Sequence, residues 1–228
     1  MSPDDVECPN CKTPVSSRPQ PEPPNSFQLA ATAAAAYVKS GFNDAIQAFK
    51  VFATDPVSRL PRAYEILGSR ALNAGLFLGG IATTFILILM IRISGESPGH
   101  EGFLGFLKLA IASLVPFLAL AGCAFAARVA CDGAGGFGSD IFIAGTSLIP
   151  VALIGLIVAI FGVHNGRVFS LLTCFATTVP VLMLFSGLTR ICRLSERVAS
   201  LAVPLTLLLS SWLSWEIYSR ILGGGSGF

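Results

Sequence analysis

The sequence predicts an all-α fold: an integral membrane bundle of five transmembrane helices, preceded by a short amphipathic interfacial helix and a disordered proline-rich tail. Three observations predict it. Hydrophobic residues make up 53% of the 228-residue chain and charged residues 12%, whereas a soluble domain carries about 25% charge. The mean hydropathy is +0.73, so too little polar side chain exists to wet the surface of a globule, and lipid must replace water over much of it. Apolar runs of the length that crosses a bilayer, about 20 residues, occur at 71–93, 103–128, 140–163, 167–189 and 198–220.

Residues 1–26 hold Pro3, Pro9, Pro14, Pro19, Pro21, Pro23 and Pro24, which prevent helix and sheet and predict a flexible tail. No charged-then-apolar order marks a cleavable signal peptide. Residues 27–70 read as a cytoplasmic or interfacial helical segment: 27–40 are alanine-rich, and in 41–54 Phe42, Ile46, Phe49 and Phe52 share a face with Ala45. That face either lies on the membrane surface or packs on the protein's own helices. Asp55-Pro56 ends the run and Pro61 shortens the next. Residues 71–222 form the five-helix domain. The link His164-Asn165-Gly166 is short enough to make the third and fourth spans antiparallel neighbours. Residues 223–228, Gly-Gly-Gly-Ser-Gly-Phe, read as a flexible end, either native or appended.

Arginines orient the spans. Arg59, Arg62, Arg70, Arg128, Arg190, Arg193 and Arg197 fall on one side, Arg92, Arg167 and Arg220 on the other. The basic side is expected in the cytoplasm, with the N-terminus inside and the C-terminus outside. Trp212, Trp215 and Tyr218 close the last span as an interfacial aromatic belt.

Lipid tails are as apolar as leucine, so helices associate where small residues let backbones approach. Ala71, Gly75, Gly79 and Thr83 recur every fourth residue in the first span, as do Ala119, Cys123 and Ala127 in the second; both ridges predict close contacts. Pro116, Pro150, Pro180 and Pro204 each remove one backbone donor and free a carbonyl one turn earlier. Thr146, Ser147, Thr177, Thr178 and Ser200 are near enough to satisfy them. The prolines read as stable kinks in a packed bundle; four kinked helices around a cavity is the alternative.

Little chemistry is encoded. Cys8-Pro9-Asn10-Cys11 resembles one knuckle of a zinc ribbon, but a structural zinc needs four ligands. The two histidines, His100 and His164, are expected across the membrane. The cofactor reading is therefore none, or a zinc ion shared between two chains through Cys8 and Cys11. Cys123, Cys131, Cys174 and Cys192 read as small packing residues. Gly133-Ala-Gly135-Gly-Phe-Gly138 fits GxGxxG in letters only, since a dinucleotide fingerprint follows a strand; it reads as a flexible loop. No nucleophile motif, HExxH or Walker pattern is present, and the middle thirds of the spans carry no charge. That weighs against a proton- or sodium-driven pump and against intramembrane catalysis. Arg190, Arg193 and Arg197, with Glu196, are candidates for anionic lipid headgroups or mere determinants of topology. The small net charge, +2, suggests no nucleic-acid partner.

Ala48-Phe-Lys-Val-Phe52 and Asp55-Pro-Val-Ser-Arg-Leu-Pro-Arg-Ala63 precede the five spans. Further on stand Ser113-Leu-Val-Pro116, Ser139-Asp-Ile-Phe-Ile-Ala-Gly145 with Pro150, Phe185-Ser-Gly-Leu-Thr-Arg190 and Leu194-Ser-Glu-Arg197. Over about residues 41–222 this pattern resembles bacterial members of the Ypt-interacting-protein (Yip) domain family, in which an N-terminal CxxC also fits. The resemblance implies five helices, a cytoplasmic N-terminus and a place in a bacterial inner membrane. Eukaryotic relatives bind Rab GTPases in vesicle traffic, but their tyrosine- and glycine-containing signatures have no clear counterpart here, so that role does not transfer. The expected function is a non-enzymatic scaffold or accessory subunit that assembles with other membrane proteins or with itself in the lipid bilayer. The alternative is a small-solute permease or channel.

Overall fold

The computed structural model describes residues 26–94, 102–162 and 166–222. Cys8, Cys11, His100, His164 and the glycine-rich end fall outside the described residues. The fold is all-α, with seven helices and no strand among the described residues: α1 (Ser26–Phe52), α2 (Leu60–Leu67), α3 (Ala71–Ser94), α4 (Gly102–Ala130), α5 (Phe137–Phe161), α6 (Gly166–Ser186) and α7 (Glu196–Leu222). Five stretches are long and apolar enough to cross a membrane: Leu60–Ile93, Phe103–Ala130, Phe137–Phe161, Ser170–Ile191 and Glu196–Ile221.

The described chain divides after Val38 into two units. In the first, the start of α1 is exposed at every position from Leu29 to Val38. The second, from Lys39 on, holds everything else. There α1 settles onto the bundle, but not with its aromatic edge. The buried face is Gly41, Asp44, Ala45, Ala48 and Phe52, while Phe42, Ile46 and Phe49 stay exposed. Small residues win this face because they allow close approach: a side chain at Gly41 would enter the Phe77 ring. An Asp55 turn then ends α1. The Asp55 carboxylate accepts the Ser58 N–H at 3.0 Å, and that bond holds the exposed acid below its ordinary range. Short α2 buries Leu60, Ala63 and Leu67, an i, i+3, i+7 stripe. Ser186 Oγ donates to Val57 O at 2.6 Å, tying this connection to the end of α6.

The centre of the bundle is the pair α3 and α5, which run parallel. A Cβ on Gly75 would lie 2.6 Å from the Phe142 backbone, and one on Gly145 would collide with the Gly75 carbonyl oxygen. Further along, Gly155 faces Leu89, and Arg92 Nε donates to Ala159 O at 3.0 Å. Ala71, Gly75, Gly79 and Thr83 are all buried on this side of α3. Gly79 additionally faces the Phe117 ring of α4. Phe142, Ile143, Met183, Leu184 and Leu188 fill the space beside the pair. The outer faces carry Phe103, Leu118, Leu171, Leu201, Leu205, Trp212 and Trp215, all more than half exposed; a surface of that composition belongs against hydrocarbon rather than water.

The prolines sit inside α4, α5, α6 and α7, and the carbonyls they free are those of Ala112, Thr146, Ala176 and Ser200. The neighbouring hydroxyls go elsewhere. Thr146 bonds Phe142 O and Ile143 O, Thr177 bonds Thr173 O and Cys174 O, Thr178 bonds Cys174 O, and Ser200 bonds Arg197 O. Ser147 Oγ and Thr83 Oγ1 are buried without a hydrogen-bond partner. A hydroxyl on a helix reaches the carbonyl three or four residues back more readily than any other, and that local preference prevails here.

Candidate functional site

The polar centre of the molecule lies where α4 ends, α5 begins and α6 turns into α7. Arg128, in the last turn of α4, and Asp140, in the first turn of α5, form a buried fork. Nε lies 3.0 Å from each carboxylate oxygen and a terminal guanidinium nitrogen lies 3.0 Å from Oδ2. The Asp140 side chain is 0% exposed and that of Arg128 10%. A second guanidinium nitrogen donates to Gly135 O at 3.2 Å, and the Phe125 ring lies under the cation at 5.4 Å. The start of a helix favours a carboxylate, because its unpaired N–H groups leave a partial positive charge there.

The loop between α4 and α5 is shaped by this fork. Gly133 N donates to Arg128 O at 2.8 Å, and Ala134 N donates to Cys192 O at 2.7 Å across to the next loop. Gly135 takes a φ of +97°, open to glycine at no steric cost, and this turns its carbonyl to the guanidinium. The glycine-rich run is thus a tied loop entered from a helix, not the flexible loop expected from the sequence. On the opposite loop, a π turn at Gly187–Ile191 ends with Leu194 N bonded to Leu188 O at 3.0 Å. Arg193 is held there at φ +55°, a conformation a side chain seldom adopts.

Cys192 completes the cluster, with its sulfur 3.9 Å from Asp140 Oδ1. Burial, followed by the Asp140 charge, pushes its thiol up to about 12. At neutral pH it is a protonated, inert group rather than a nucleophile or ligand. Cys131 and Cys174 are exposed, so the packing role expected of the cysteines holds for Cys192 and not for those two. A second ion pair joins Arg70 to Asp44 Oδ1 at 2.7 Å; Asp44 is buried, and its Oδ2 has no partner. Among the described residues no group of three or more histidine, cysteine or acidic side chains is placed to hold a metal.

Two apolar grooves open on the flanks. One, of about 230 Å³, lies between Phe42, Ile46 and Phe49 of α1 and Leu78, Phe85 and Leu153. The other, of about 430 Å³, lies between α4 and α7 and is lined by Cys123, Ala127, Cys131, Leu201 and Leu205 among others. The second small-residue ridge therefore does not close throughout: Ala119 is buried, but Cys123 and Ala127 border open space. Arg190, Arg193 and Arg197 are exposed, and no ion pair engages them among the described residues.

Counting charges in the middle thirds of the spans passes over Asp140, which stands one turn inside α5. It also counts Arg128 as a free topology signal although its charge is neutralised. The signal was present in the sequence as an arginine and an aspartate twelve residues apart, bracketing a glycine-rich loop short enough to bring them together. Comparison with known proteins adds no relative: no family model, curated protein or solved structure matches the chain.

Proposed function

We propose that this protein is a non-enzymatic scaffold or accessory subunit of the bacterial inner membrane, with the arginine-rich end in the cytoplasm, and that it works through its lipid-facing and cytoplasmic surfaces. The observation that carries the reading is the dry centre. Backbones of α3 and α5 touch at Gly75 and Gly145, apolar side chains such as Phe142, Ile143, Met183 and Leu184 pack beside them, and the charged fork locks one end. Both grooves lie on flanks and have apolar walls, unsuited to a polar solute crossing the bundle. The CxxC tail, which would recruit partners or share a zinc between chains, accords with an assembly role. A permease would need a polar path between the helices.

The test is extraction from native membranes into lipid-preserving particles, followed by quantitative mass spectrometry. A partner protein recovered at constant stoichiometry supports the proposal and supplies the function through the partner's activity. Recovery of the chain alone, together with protein-dependent solute flux in liposomes, would replace it with the permease reading.

A further inference from the structure

We propose that the groove between α4 and α7 binds one acyl chain of an anionic glycerophospholipid, whose phosphate is held by Arg193 and Arg197. This site is independent of the scaffold reading, because it requires no protein partner.

The groove exists because of side-chain size. On the α4 side its wall is Cys123, Ala126, Ala127 and Ala130, with Cys131 just past the helix end, an i, i+3, i+4, i+7, i+8 stripe of residues with at most one heavy atom beyond Cβ. The facing stripe on α7 begins at Val198 and runs through Leu201 and Leu205 to Leu209. From Val198 to Leu209 the helix rises ~16 Å. The groove offers about 430 Å³ along that length, a trough in which one hydrocarbon chain can lie. Its walls are apolar except at Thr206, and Leu201, Leu205 and Leu209 are each about half exposed or more, so a chain enters sideways from the bilayer.

Charge fixes the class of lipid. Arg197 lies four residues before Leu201, on the same side of α7, and immediately before Val198 at the end of the groove. Arg193 sits beside Cys192, whose carbonyl is bonded to Ala134 three residues after Cys131, at the same mouth. From Arg190 to Arg197, three arginines against Glu196 leave a net charge of +2. The first turn of α7 adds the partial positive charge of a helix start. A phosphodiester at this mouth meets cations that have no acidic partner among the described residues, while its chain covers apolar surface that the protein leaves bare.

The experiment is native mass spectrometry of the full chain in detergent, titrated with phosphatidylglycerol, phosphatidylcholine or inorganic phosphate. The expected result is one tightly retained phosphatidylglycerol per chain. Phosphatidylcholine should bind at least tenfold more weakly, and inorganic phosphate should not compete. Arg193→Gln with Arg197→Gln should remove the preference by roughly tenfold or more while leaving both lipids retained through the groove. These arginines are exposed, so the variant tests charge without disturbing packing. Ala126→Leu with Ala130→Leu should fill the groove and abolish retention of both lipids; a melting curve like that of wild type shows that this variant is folded. Equal retention of the two lipids by wild type, unchanged retention by the filled variant, or displacement by phosphate would overturn the proposal. So would a disulfide between two copies through Cys131, which would place a second chain at the mouth.

Discussion

Removing the Asp140 carboxylate strands a guanidinium in the dry end of the bundle. Arg128 has a side chain only 10% exposed, and its charge is met by a carboxylate that is 0% exposed. Withdrawing one partner from a buried pair costs about 3–5 kcal/mol, because the remaining charge keeps its desolvation penalty and loses its compensation. Asp140→Ala should therefore destabilise the protein by ~3 kcal/mol or more. The reduction is moderated by the Gly135 carbonyl and the Phe125 ring, which still face the cation. Arg128→Met alone should cost a similar amount by stranding Asp140. Arg128→Met with Asp140→Leu removes both charges and should recover most of the loss, since well-packed apolar replacements of buried pairs are often neutral or stabilising. The assay is unfolding by SDS in mixed micelles, followed by far-ultraviolet circular dichroism, with the four proteins read as a double-mutant cycle. A single-variant cost below about 1 kcal/mol, or a double variant as unstable as the sum of the singles, would show that the fork does not hold this end together.

Other outcomes follow from the same contacts. Gly145→Leu should push α5 off α3, because even its first carbon meets the Gly75 carbonyl; the expected loss is about 1–3 kcal/mol or more, whereas Gly80→Ala, with nothing within 4 Å, should be neutral or stabilising by up to ~1 kcal/mol. Micelle melting curves of the two variants distinguish local crowding from general intolerance of the helix. The Cys192 thiol stands at about 12 when folded, against 9.0 ordinarily. Between those values the folded protein holds a proton that the unfolded chain has lost, so stability falls as pH rises above about 9. Cys192→Ala should flatten that part of the pH–melting curve; an unchanged slope would refute the assignment. At pH 8 iodoacetamide should modify buried Cys192 only on unfolding, as peptide mapping would read directly.

The spans were legible because hydropathy over twenty residues is a bulk property, insensitive to neighbours. What could not be read is which faces meet. The spacing of Ala71, Gly75 and Gly79 marks one side of α3, but nothing in it names α5 as the neighbour. In α1, Phe42, Ile46 and Phe49 outweigh Gly41, Ala45 and Ala48 in apolar area, yet the small residues take the contact because approach distance, not area, selects a face between helices in lipid. The Arg128–Asp140 fork was hidden because each residue has an ordinary meaning alone: an arginine at the end of a span and an acid at a helix start. Only their shared loop, with Cys192 brought up from the next connection, turns them into one structure.

The most direct test concerns the dry centre itself. Thr83 and Ser147 are buried hydroxyls with no hydrogen-bond partner, and a polar path between the helices would make use of such groups. In a chain whose six native cysteines are replaced by alanine, Thr83→Cys and Ser147→Cys are near in size to the residues they replace. Each is exposed in native membranes to a charged, water-soluble thiosulfonate, with Ala53→Cys, at an exposed position after α1, as the reactive control. The account predicts rapid labelling at the control position and no labelling at 83 or 147 until the protein is unfolded. Labelling at either buried position at a rate near that of the control would mean that water reaches the centre, and would contradict the closed bundle.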